Sequence, residues 1–153
     1  MRRDPSTSPG VRLMNLRIIW GALLMGQLTF LAVIVLVVWN RQSPAAAPDP
    51  RVLDLLFYVS VGMLLTMVTT GFLIRSFVYR KGRAFTGTDA VSGGAYASGN
   101  IVLWALCEGA SFFGLVGAML NCRPWPHLAV PIVAMAVQAL TFPTGGPMRN
   151  ESV

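Results

Sequence analysis

Charge is scarce in this sequence. Asp, Glu, Lys and Arg make up only 12% of its residues, about half the share of a water-soluble domain. So few charges cannot cover a water-facing surface, and lipid is the expected solvent for much of the chain. Histidine occurs once, as His127, and cysteine twice, as Cys107 and Cys122. With no CxxC pair and no Cys/His cluster, no metal site of zinc type is expected. Within one continuous helix the two cysteines would stand about 22 Å apart, beyond the roughly 7 Å that a disulfide tolerates between Cα atoms. The chain also lacks a Ser/His/Asp set, a carboxylate pair at catalytic spacing and a GxxxxGK[ST] loop. Enzymatic activity and a cofactor are therefore not expected, and the sequence identifies no small-molecule substrate. The net charge of +6 does not point to nucleic acid, because the basic residues flank apolar runs without interleaved aromatics.

What the sequence does have is long apolar runs. Leu16–Trp39 is interrupted only by Arg17, Gln27 and Thr29, and Val52–Ile74 carries Asp54 near its start and Thr66, Thr69 and Thr70 towards its end. Ile101–Leu120 is the third run, and Trp125–Phe142, with Pro131 and Gln138, is the fourth. A spanning helix needs about 20 such residues. The expectation is an all-α, polytopic membrane protein: a four-helix transmembrane up-down bundle over residues 16–142, with helices at about 16–39, 52–78, 99–121 and 125–142. Residues 1–15 are expected as a disordered tail and 143–153 as a second tail. The connection 81–99 reads as a mobile hairpin, with Ser98 or Asn100 capping the third helix.

Orientation follows from the basic residues. Nine (Arg2, Arg3, Arg12, Arg17, Arg75, Arg80, Lys81, Arg83, Arg149) fall on one side and three (Arg41, Arg51, Arg123) on the other. The positive-inside rule then puts both termini and the middle connection in the cytoplasm, as expected for a multi-pass protein of a bacterial inner (plasma) membrane. Trp39 and Trp125 would mark the outer interface, and Trp20 and Trp104 the inner one. A cleaved signal peptide ending at Ala45-Ala46-Ala47 is the rival reading. The first apolar run exceeds the roughly 7–15 residues of a signal core, and Pro48 would follow the cut, so a retained helix is expected.

The candidate site centres on Glu108, a carboxylate inside I-V-L-W-A-L-C-E-G-A-S-F-F-G-L-V-G-A-M-L with no basic residue beside it. Ionisable side chains at bilayer depth cost about 2.5–3.5 kcal/mol on insertion scales, so they are rare and usually functional. In the up-down order, Gln27, Thr69, Thr70, Glu108 and Gln138 all fall in the inner half of the membrane. The expectation is a proton- or ion-binding set of Glu108, Gln138, Thr70, Ser111 and Gln27. In it Glu108 is protonated at rest and hydrogen-bonded to Gln138 and a threonine. Ala110, Gly114 and Ala118 recur every fourth position and should form a flat face for helix packing.

The stretch A-L-C-E-G-A-S-F-F-G-L-V-G resembles the carboxylate helix of the rotary ATP synthase proteolipid, the c subunit, over about a dozen residues. The matching positions are Glu108, Gly109, Phe113, Gly114, Leu115 and Val116. By that resemblance Glu108 gains and loses a proton or binds a sodium ion. The proteolipid's glycine-rich partner helix has no counterpart, since Ile18–Trp39 holds only Gly21 and Gly26. The whole chain looks more like a small four-helix bacterial membrane protein. Beyond the lipid bilayer, a protein partner or a homo-oligomer is the expected company, with Glu108 either coupling to it or serving structure alone.

Overall fold

The computed structural model describes residues 9–40, 49–87, 90–121 and 125–148. The alanine run 45–47, Cys122, Arg123 and the outer parts of both expected tails lie outside them. The described residues form helices α1 (Pro9–Asn40), α2 (Pro50–Thr86), α3 (Gly93–Asn121) and α4 (Ala129–Leu140), with no strand among them. Three are long and apolar enough to cross a membrane, through Leu13–Val38, Pro50–Thr86 and Gly93–Leu120.

α4 is shorter than the expected segment 125–142. Its 12 residues rise about 18 Å, less than the roughly 30 Å of hydrocarbon. Trp125–Leu128 turn before it, and Phe142–Gly145 leave the helical path after it. Pro126 and Pro143 flank it, and neither can donate a helical hydrogen bond. Pro131 is its third residue, where an amide hydrogen would have no partner within the helix.

α1, α2 and α3 extend past their expected ends. Residues 9–15, expected within a tail, belong to α1. Asp49 caps α2 by accepting the amide hydrogen of Arg51 at 2.9 Å, with Pro50 as the first helical residue. α2 then continues through Lys81 to Thr86 and stops at Gly87, whose φ of 65° reverses the chain while its amide donates to the Arg83 carbonyl at 3.0 Å. Ser92, rather than Ser98 or Asn100, caps α3, accepting the Ala95 amide at 3.4 Å. The expected loop is thus a tight helical hairpin. It closes because Gly82 has no side chain: a Cβ there would lie 2.6 Å from the Cβ of Ala95.

α3 is the hub. It packs against α1, α2 and α4, whereas α1 and α2 do not touch among the described residues. Along α2 and α3 the contacts run in opposite order, from Met67 beside Gly109, through Gly71 on Leu103, to Gly82 on Ala95. Along α1 and α3 they rise together, from the cluster of Leu16 and Trp104, through the Phe30–Phe112 ring pair, to that of Ile34 and Leu115. The small residues of α3 serve this packing. Ala110 is buried with Leu64, Val130 and Ala134, and Ala118 with Ile34, Val38, Leu115 and Leu128. A Cβ on Gly114 would meet Pro131 Cδ at 2.6 Å.

The segment after α4 folds back over one end of the helices. Arg17 Nε donates to the Pro143 carbonyl at 3.3 Å, the Gly145 amide to the Tyr96 hydroxyl at 3.2 Å, and the Val91 amide to the Pro147 carbonyl at 2.9 Å. Pro143–Met148, within the expected second tail, ties α1 to the α2–α3 hairpin.

Candidate functional site

Gln27 and Gln138 meet. The side-chain amide of Gln27 on α1 donates to the side-chain carbonyl of Gln138 on α4 at 2.5 Å, and both residues are fully buried. Trp20 Nε1 donates to the Gln138 backbone carbonyl at 2.9 Å, and Trp104 Nε1 to Thr141 Oγ at 3.1 Å. Trp104 is completely buried, so these two tryptophans tie helices together where an interfacial belt was expected. Trp125 does stand exposed.

The amide pair leaves capacity unused. Gln27 Oε1, Gln138 Nε2 and Ser111 Oγ are buried without a hydrogen-bond partner. Ser111 is fully buried one turn beyond Cys107, itself a buried free thiol, on the α3 face that meets the other helices.

Glu108 lies on the edge of α3 turned towards α1. Trp104, one turn before it, packs with Leu16, Trp20 and Leu23, and Phe112, one turn after it, packs edge-on against Phe30 at 5.1 Å. Gln27 sits between Leu23 and Phe30 on α1, so Glu108 and Gln27 are level. Glu108 is half-buried and makes no hydrogen bond or ion pair with any described residue. The expected bonds to Gln138 and a threonine are not formed. Gln138 is engaged by Gln27, and Thr69 and Thr70 face outward on α2. Leu64, Gly71 and Gly82 mark the side of α2 that meets α3, and both threonines fall off it.

Two polar clusters were not anticipated. At one end, Asn100 Nδ2 donates to the Tyr79 hydroxyl at 2.7 Å and Arg75 Nε reaches the same oxygen at 3.1 Å. Tyr79 stacks on Tyr96 at 5.7 Å. At the other end His127 is 1% exposed, with Phe57 edge-on at 5.7 Å and no partner for Nδ1. Gly117 makes room for its ring, since a Cβ would lie 2.6 Å from Nδ1. Burial pulls the His127 pKa below the usual imidazole value, and the charge of Asp54 on α2 partly opposes this. Among the described residues no three His, Cys, Asp or Glu side chains gather as a metal site.

In class, the described residues are all-helical, with three helices among them long and apolar enough to cross a membrane. No protein-family model, no curated protein and no solved structure matches it.

Proposed function

We propose that the chain is a multi-pass membrane protein, without enzymatic activity, that holds a proton or cation at Glu108 and couples this to a partner. The observation that carries the reading is a pairing of unmet needs. Among the described residues Glu108 has no hydrogen-bond or ion-pair partner, and the Gln27 carbonyl oxygen level with it has none either. A neutral carboxyl has one O–H to donate to an amide oxygen, and an ionised one has only acceptors. Proton loss at Glu108 therefore removes a donor from the seam between α1 and α3. Ser111 and Gln138 offer further unused hydrogen-bonding atoms nearby. The local resemblance to the proteolipid carboxylate helix supports the same chemistry. Thr70 faces outward and is left out of the proposed site.

The accompanying topology is an up-down bundle with both termini cytoplasmic, in a bacterial inner membrane. It is supported by the nine-to-three distribution of basic residues and by α1 and α3 running in the same sense.

A hydrophobic carbodiimide applied to the full chain in liposomes tests the site, because this reagent adds to a protonated carboxyl in an apolar setting. Labelling at Glu108 that declines as pH rises is the expected result. No labelling of a folded protein at any pH would refute it.

A second reading is an accessory subunit in which Glu108 is structural. Its support is the side of α3 left uncovered between α1 and α2, where Ala105, Phe113 and Val116 are exposed. Native mass after mild detergent extraction separates the two: a stoichiometric co-purified partner, with Glu108→Gln leaving assembly and activity unchanged, favours the accessory role.

A further inference from the structure

The end of α2 is built unlike the rest of the lipid-facing surface. From Leu55 to Ile74 the helix carries no charge, and these 20 residues rise about 30 Å, the depth of a bilayer's hydrocarbon. Helix α2 then runs 12 residues further, to Thr86, and holds Arg75, Arg80, Lys81 and Arg83 with no acidic residue. Arg75 is engaged with the Tyr79 hydroxyl. The other three are exposed and have no carboxylate partner among the described residues.

Their direction is fixed by Gly82, which packs on Ala95 and Val91 of the hairpin. Arg80 is two residues away, about 200° around the helix, and so points away from the protein; Lys81 and Arg83 flank it. Phe77, Lys81 and Phe85 follow one another every fourth residue along this outer surface, with Phe77 58% and Phe85 88% exposed. Lys81 folds back one turn, so that its ammonium lies 4.6 Å from the Phe77 ring centre. The backbone at Arg80 and Lys81 stands about 9–10 Å past Ile74, and Lys81 reaches back into the layer of about 5–8 Å that lipid headgroups occupy.

We propose that Arg80, Lys81 and Arg83 form a binding site for the phosphate groups of anionic phospholipids, with Phe77 seated in the interfacial layer beside them. Three cations on the lipid-facing side of a peripheral helix, with no carboxylate partner among the described residues and with side chains that reach back towards headgroup height, are the complement of that surface. The site is separate from Glu108 and does not depend on what Glu108 does.

The test uses the full chain in phosphatidylcholine nanodiscs doped with phosphatidylglycerol, with retained lipids read by native mass spectrometry. Wild type should retain phosphatidylglycerol in preference. The triple variant Arg80→Gln, Lys81→Gln, Arg83→Gln should lower that preference at least about five-fold, the effect of one surface cation, and added salt should lower it for wild type. Arg51→Gln, at the opposite end of α2, should change it less. Wild type without a preference, or a folded triple variant that keeps it, overturns the proposal. Lys81→Gln alone gives the same reading should the triple variant misfold.

Discussion

Gln27 and Gln138 stand 111 positions apart and are joined by one side-chain hydrogen bond that ties α1 to α4 in the buried interior. Hydrogen bonds between membrane helices average about 0.6 kcal/mol and reach about 1.7. A lone buried amide is worse than no amide. Gln27→Leu or Gln138→Leu alone should destabilise by about 1–3 kcal/mol, and the double variant by less than the sum. Unfolding in mixed detergent micelles measures the cycle, and strictly additive losses would mean the pair is not coupled.

The glycines should divide sharply. Gly114→Ala drives a methyl to within 2.6 Å of Pro131 and 2.8 Å of Val130, both stiff, and should cost about 1–3 kcal/mol. Gly21 and Gly26 have nothing within 4 Å, so alanine there should be neutral or mildly stabilising, by up to about 1 kcal/mol. Thermal melts in detergent distinguish the two classes.

His127 should make stability depend on pH. Its folded pKa is depressed by burial, so the unfolded chain takes up the proton first. Stability is then fully present above the ordinary value of 6.5 and is lost as pH falls from there towards the folded value. The groups facing it are the Phe57 ring and the Asp54 carboxylate, both on α2. Melting temperature should drop between about pH 7 and about pH 5 in wild type. In His127→Asn that part of the slope should disappear.

The folded-back segment hangs on Tyr96. Tyr96→Phe removes the acceptor of the Gly145 amide, a buried bond, and should cost about 1–3 kcal/mol. Amide exchange at Gly145 should accelerate. Unchanged protection there would mean that Pro143 and Pro147 hold the segment without it.

Much of this arrangement is legible in the sequence, and the failures have a common physical cause. Polar side chains inside apolar runs are conspicuous, so Gln27, Gln138 and Glu108 stand out, and small residues at every fourth position mark the packed face of α3. Which way a helix turns is harder to read. α2 is apolar on all sides because lipid and protein are both apolar solvents, so Thr70 and Gln138 look equally inward, yet only Gln138 is buried. The hairpin after Lys81 reads as a loop because glycine and serine are poor helix formers in isolation. Contact between Gly82 and Ala95 overrides that preference. Gly82 and Gly99, each on the face that meets the other helix, were the available signal.

The most direct test of the central claim is the infrared difference spectrum of the full chain in lipid bilayers, wild type against Glu108→Gln, near neutral pH. The account predicts a carbonyl stretch from a protonated carboxylic acid in wild type that is missing from the variant and disappears in alkali. A spectrum with only carboxylate bands at Glu108, unchanged as the pH is lowered towards the ordinary carboxyl range, would contradict it.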